Sequence, residues 1–237
     1  MTKKIFFTIG FVVLVLISDC VNAQPFKNEI DAFKKVDSLH SPYFPGKHPI
    51  LFVGSSSFRK WVDVQDYFPG YPIINRGFGG STLPDVIRYA ADIIYPYAPK
   101  QVVIYCGEND LASSDKVTAK VVFERFKTLF QMIRTKLPYA TIDFVSIKPS
   151  PSRKHIQPQV IIANKLIKDF LAKKIRAGFI NIYDGMMNAD GTMKGELFLS
   201  DNLHMKANGY AIWQKAIAPY LLKDNQQKKL KKQLQSD

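Results

Sequence analysis

Cysteine is nearly missing from this sequence. The 237 residues hold two, Cys20 and Cys106, and the first lies in a stretch that reads as a removable leader, so no intramolecular disulfide can brace the remainder. The fold has to stand on its core. Cys106 ends an apolar run with no second cysteine nearby, and it reads as a small buried hydrophobe, neither nucleophile nor metal ligand. Internal repeats and low-complexity linkers are also lacking. With 46% hydrophobic residues, the length suits one well-buried domain and is short for two.

Membrane-length apolar runs are absent as well. The extended apolar stretch Ile5 to Ile17 falls short of the roughly 20 residues that span a bilayer. With Lys3-Lys4 before it and Val21-Asn22-Ala23 after it, it has the layout of a secretory signal cleaved after Ala23. The expectation is export to the periplasm or beyond, with residues 1–23 removed, a domain over 24–222 and a tail over 223–237. Leu16-Ile17-Ser18-Asp19-Cys20 is fainter in its likeness to a lipoprotein processing site. Asp19 stands where such sites carry a small residue, so lipidation at Cys20 ranks second.

Acidic residues are the minority, 20 against 33 lysines and arginines, for a formal charge of +13. Part of the excess lies in the tail, at Lys228-Lys229 and Lys231-Lys232. That tail reads first as a solvated helix end, though it could touch an anionic envelope surface. Basic repeats interleaved with aromatic residues are lacking, so nucleic acid is not an expected partner.

The rest of the chain alternates. Phe26, Ile30, Phe33 and Val36 are spaced for an amphipathic first helix. Short apolar runs at Ile50–Val53, Ile73–Ile74 and Val102–Tyr105 read as strands, Thr141–Ile147 alternates like a strand, and Phe179–Tyr183 reads as a further one. Helical spacing fills Leu83–Tyr95, Val121–Leu137, Val160–Ile175 and Ala207–Leu222. Strands separated by helices of this length imply an α/β fold, a three-layer α/β/α sandwich around a flavodoxin-like parallel sheet of about five strands. In such a sheet the segments leaving the carboxyl ends of the strands converge on one crevice.

Four short motifs would meet there: Gly54-Ser55-Ser56-Ser57, Gly79-Gly80-Ser81, Gly107-Glu108-Asn109-Asp110 and Asp201-Asn202-Leu203-His204. A serine hydroxyl needs a base within reach to become a nucleophile. Gly54 permits a tight strand-to-helix turn, and Ser56 sits one residue beyond it. Position 58 is Phe, so this is not the Gly-x-Ser-x-Gly elbow. Three serines after a strand could equally form a capping turn or a phosphate nest.

Among the four histidines, His40 and His48 sit near the first helix and loop, and His155 sits beside Arg153 and Lys154 in a Pro-rich loop. His204 stands out. Asp201 precedes it by three residues, where a carboxylate can hold one ring nitrogen and leave the other free to take a proton. Gly80 can offer a backbone N–H, and Asn109 a side-chain amide, to an oxyanion. Each motif alone is a common turn or cap; together, at strand ends, they point to acyl transfer.

At these residues the chain resembles the SGNH, or GDSL-type, hydrolase superfamily in its platelet-activating-factor acetylhydrolase-like branch, from about Ile50 to Tyr220. Val53-Gly54-Ser55-Ser56, Asn75-Arg76-Gly77-Phe78-Gly79-Gly80, Gly107 to Asp110 and Asp201 to His204 match in order, and Ser146 to Arg153 is similar to bacterial members. The resemblance implies Ser56 as nucleophile, His204 as base and Asp201 as its orienting carboxylate. It also implies an oxyanion hole from the Ser56 and Gly80 backbone N–H groups and the Asn109 side chain.

The family usually has Asp where this chain has Ser55. A small-molecule or glycan acyl ester is the implied substrate, with no metal or cofactor. Without a long apolar loop to form a lid, short acyl groups are expected, flanked by Trp61, Phe78 or Leu111. Two rivals keep the fold without the reaction: a flavodoxin-like module using Ser55–Ser57 as an anion cradle, and a silent carbohydrate-binding relative.

Overall fold

The computed structural model describes residues 25–40 and 48–223. The leader, Cys20 and nearly all of the basic tail lie outside the described residues. Five strands form one sheet: β1 (Ile50–Gly54), β2 (Ile73–Gly77), β3 (Gln101–Tyr105), β4 (Thr141–Val145) and β5 (Ala177–Ile180). Their order is β2-β1-β3-β4-β5, and every pairing is parallel. The helices are α1 (Lys27–His40), α2 (Ser56–Arg59), α3 (Val64–Tyr67), α4 (Leu83–Arg88), α5 (Ala90–Ile93), α6 (Glu108–Ser113), α7 (Ala119–Lys136), α8 (Gln157–Leu171) and α9 (Ala207–Ile217). Among the described residues no helix is long and apolar enough to cross a membrane.

Alternation along the strands makes the three layers. Leu51, Val53, Val102, Ile104, Ile142 and Phe144 face a cluster with Val86, Phe126, Ile133 and Ile167, from α4, α7 and α8. Their neighbours Phe52, Val103, Tyr105 and Val145 face the other way, onto Phe58, Trp61, Tyr210 and Trp213. Both faces are covered, which is why the central strands β1 and β3 read as apolar runs instead of alternating ones.

Where the elements depart from the spacing, side chains explain it. The single helix expected over Leu83–Tyr95 is two, α4 and α5, because Tyr89 leaves helical geometry at φ −96°, ψ 8°. Its hydroxyl donates to the Pro25 carbonyl at 2.6 Å, and its ring packs edge-on against Phe78. Strand β4 stops at Val145, not at Ile147, and the Asn164 amide takes over the Ile147 backbone, accepting from its N–H at 2.8 Å and donating to its carbonyl at 2.9 Å. Strand β5 lies earlier than expected, ending at Ile180. Past that point the Ser146 hydroxyl accepts the N–H groups of Ile182 and Tyr183 at 3.0 and 3.1 Å.

The chain leaves β1 toward β2 on one side and reaches β3 on the other, so the sheet order reverses between β1 and β3. Ligand crevices of open parallel sheets form at such a switch point. The segments after β1, β2 and β3 all open onto it.

Candidate active site

Gly54 makes the first turn. Its φ is +140°, and a Cβ there would stand 1.9 Å from the Tyr105 carbonyl oxygen, so no other residue fits. The next residue, Ser55, is buried and extended at φ −94°; its N–H donates to Tyr105 O at 3.0 Å and its carbonyl accepts from Phe58 and Arg59 as α2 begins. Ser57 is buried as well, with its carbonyl held by the Tyr210 hydroxyl at 2.9 Å. Ser56 is half-buried, and its Oγ lies 3.1 Å from His204 Nε2.

The other ring nitrogen of His204 lies 2.6 Å from Asp201 Oδ2. Asp201 Oδ1 accepts the backbone N–H groups of Leu203 and His204, both at 2.9 Å. Asp201 is exposed, and what desolvation it does meet opposes ionisation, but the hydrogen bonds from the His204 ring and these backbone groups prevail and hold its carboxyl well below the usual range. The turn closes through the Leu199 N–H to the His204 carbonyl at 2.7 Å, with Asn202 in the left-handed region at φ +54°. Asn tolerates that conformation better than most residues.

Two further motifs converge. Ser81 is fully buried, and its hydroxyl lies 3.1 Å from both the Gly54 and Phe78 carbonyls, tying the loop after β2 to the turn after β1. Gly80, at φ +73°, is exposed, with open space where a Cβ would stand. The Asn109 side chain donates through Nδ2 to the Ser81 carbonyl at 2.9 Å, which places its amide beside that loop. Asp110 turns inward, accepting the Leu83 N–H at 2.9 Å and pairing with Arg125 at 2.8 Å. Burial raises its pKa despite these donors.

Sequence reasoning missed what lies beneath. The Glu108 carboxylate is buried against Lys148 and the hydroxyls of Ser150 and Tyr105, at 2.5, 2.5 and 2.8 Å, with Arg153 at 3.7 Å. Burial alone would raise its pKa, but Lys148 and Arg153 outweigh that and keep it low. From the same loop, the Ser152 N–H and hydroxyl both reach the Asn202 carbonyl, at 3.1 and 3.0 Å. The run Ser146 to Arg153 therefore links the start of α6, which carries Asn109, to the turn that carries His204. Its only sequence signal was the family likeness of that run.

The other candidates stand apart. The Nδ1 atoms of His40 and His48 lie 3.0 Å from backbone carbonyls, and His155 is exposed. Cys106 is a buried thiol whose pKa is pushed well up by burial and by the nearby Asp110 charge. Trp61, Phe78 and Leu111, expected beside an acyl group, are instead core residues, exposed by 0, 0 and 3%. Trp61 stacks on Tyr210 at 4.8 Å, and Phe78 meets Phe26 edge-on at 5.2 Å. Among the described residues no cluster of three or more His, Cys, Asp or Glu side chains is arranged to hold a metal ion.

A family model described as GDSL-like lipase/acylhydrolase matches residues 50–212. No curated protein matches the chain. Solved structures do. A GDSL-like lipase from Bacteroides thetaiotaomicron is 20% identical, with a TM-score of 0.66 over 81% of this chain and 96% of its own. A lipase/acylhydrolase from Enterococcus faecalis is 20% identical, with a TM-score of 0.56 over 74% and 98%. An acetylxylan esterase from Geobacillus stearothermophilus, solved as a catalytic mutant, is 15% identical, with a TM-score of 0.58 over 74% and 94%.

Proposed function

Given that the chain belongs to the GDSL-like lipase/acylhydrolase family and is a carboxylic ester hydrolase, we propose that it is an exported serine esterase of short acyl groups, acetyl foremost, acting through Ser56, His204 and Asp201. One observation carries this reading. His204 lies between the other two, Nε2 at 3.1 Å from Ser56 Oγ and Nδ1 at 2.6 Å from Asp201.

As Ser56 Oγ attacks the ester carbonyl, His204 Nε2 takes its proton, and Asp201 steadies the imidazolium that forms. The negative charge moves onto the former carbonyl oxygen. It is met by the N–H groups of Ser56 and Gly80 and by the Asn109 amide hydrogen not given to Ser81. Collapse breaks the bond to the alcohol, which leaves with the proton from His204, and the acyl group stays on Ser56. Water then attacks, with His204 again taking the proton, and the acid departs with Ser56 restored. An inward-facing Ser57 and a Ser55 engaged through its backbone leave Ser56 as the hydroxyl for this role. The small residue at position 55 is compatible with it, because the turn is held by the Ser55 backbone.

Acetyl preference rests on shape. Each CH₂ of an acyl chain contributes its ~0.8 kcal/mol only where protein can bury it. The aromatic residues expected to cradle a chain are sealed in the core, and the base turn offers Leu199, 41% exposed. The acetylxylan esterase of like fold makes acetylated glycans a reasonable substrate class. Export rests on the leader-like first 23 residues, and a mature amino terminus at Gln24, read by mass spectrometry, would support it. A diacylglyceryl group on Cys20 would make the protein a lipoprotein instead.

A fluorophosphonate probe tests the core of the reading. Ser56→Ala should lose both the adduct and the hydrolysis of p-nitrophenyl acetate, while Ser57→Ala keeps them. In a series of p-nitrophenyl esters kcat/KM should peak at acetyl or butyryl, and a maximum at octanoyl or longer defeats the short-acyl reading.

A further inference from the structure

Two consecutive glycines carry the backbone donor assigned to the oxyanion, and glycine is the residue least able to hold a loop still. Their flanks are anchored. The Phe78 N–H donates to the Gly54 carbonyl at 2.9 Å, and the Ser81 hydroxyl bridges Gly54 and Phe78. Between these anchors the contact on the loop comes from elsewhere in the chain. On α1, which lies before the stretch matched by the family model, Glu29 Oε2 accepts the Gly79 N–H at 3.3 Å and pairs with Arg59 Nε at 2.7 Å. The Arg59 guanidinium lies against Gly79: a Cβ there would stand 3.0 Å from its Nη1. Arg59 closes α2, the single turn that Ser56 opens.

Resting on the esterase reading above, we propose that Glu29 is a positioning residue, a strut from α1 that registers the Gly79–Gly80 donor loop against the helix bearing Ser56. Seating α1 does not require it. The helix is held by Ile30 in the core, by Asp37 paired with Arg76, and by Lys34 paired with Asp92 at 2.6 Å. Both contacts of Glu29 go to the loop and to α2, which touch the nucleophile and the donor. Its loss should therefore weaken the transition state more than ground-state binding.

The test is p-nitrophenyl acetate hydrolysis by the protein from Gln24 to Asp237 and its variants, alongside thermal unfolding. Glu29→Ala should lower kcat ~10-fold with KM within about twofold. That is less than the ~10²–10³ for removing a donor outright and within the ~10²-fold that a misplacement can cost. Glu29→Gln keeps an oxygen for Gly79 and Arg59 and should recover most of the loss. Lys34→Ala loosens α1 without touching the loop and should leave kcat unchanged. An unaltered kcat in Glu29→Ala overturns the proposal, as does a rise in KM alone or an equal loss in Lys34→Ala. Ser56→Ala, run in parallel, separates the two ideas: full activity there removes Ser56 as the nucleophile and with it the site the strut would serve, whereas a dead Ser56→Ala beside a Glu29→Ala of unaltered kcat removes only the strut.

Discussion

Replacing Lys148 by Met tests whether the ion pair under the active site holds the fold together around it. The side chains of Lys148 and Glu108 are 1% and 5% exposed and their charged atoms 2.5 Å apart, so water cannot stand in for a missing partner. Removing one member of such a pair leaves the other charge buried, which typically costs ~3–5 kcal/mol. Glu108 keeps two hydroxyl donors, Tyr105 at 2.8 Å and Ser150 at 2.5 Å, and the Arg153 cation at 3.7 Å, which pull the expected loss to the lower end, ~3 kcal/mol. With a urea slope of ~2–3 kcal/mol per M, the unfolding midpoint should fall by ~1–1.5 M. Glu108→Gln combined with Lys148→Met removes both charges, and its loss should be well below the sum of the two single losses. Activity near neutral pH, at temperatures where the variant stays folded, should fall in kcat, because Glu108 immediately precedes Asn109. A Lys148→Met midpoint within ~0.2 M of the parent, or strict additivity in the double variant, refutes the reasoning.

Other outcomes follow from single contacts. Asn109→Ala should lower kcat by ~10²–10³ with little change in KM, and a rise in KM alone would make Asn109 a substrate-binding residue. Asp143 is buried in the middle of β4, and burial pushes its pKa up to about 6 against one hydrogen bond from Gln101. A carboxyl raised in the folded state favours its neutral form, so its stabilising contribution is complete below pH ~4 and is lost as pH climbs through ~6. The shift corresponds to about 3 kcal/mol. Asp143→Asn should thus match the parent near pH 4 and exceed it by up to ~3 kcal/mol at pH 8, as read by urea unfolding at the two values. A difference that does not change with pH refutes the assignment.

What the sequence made legible was the part governed by local pattern. Strands buried on both faces must be apolar, so β1 and β3 announced themselves, and turns with glycine or a closely spaced acid and histidine flagged the crevice. What it hid was governed by long-range pairing. The end of β5 is set by the Ser146 hydroxyl, 36 residues from Ile182, and the break between α4 and α5 accompanies a Tyr89 hydroxyl bound 64 residues away at Pro25; neither has a local signature. Trp61 shows the same limit from the other side. A tryptophan in an irregular stretch near the site reads as a surface for substrate, yet the loop after β1 folds it back between Phe52, Phe68 and Tyr210. Glu108 and Lys148 are the sharper lesson, since charged residues are expected in water unless a partner exists. Each looked like an ordinary motif neighbour until the fold brought together residues 40 positions apart. The parts nearest the proposed chemistry were readable because bond making constrains residue type, whereas the supports beneath them need only a complementary partner, which folding alone reveals.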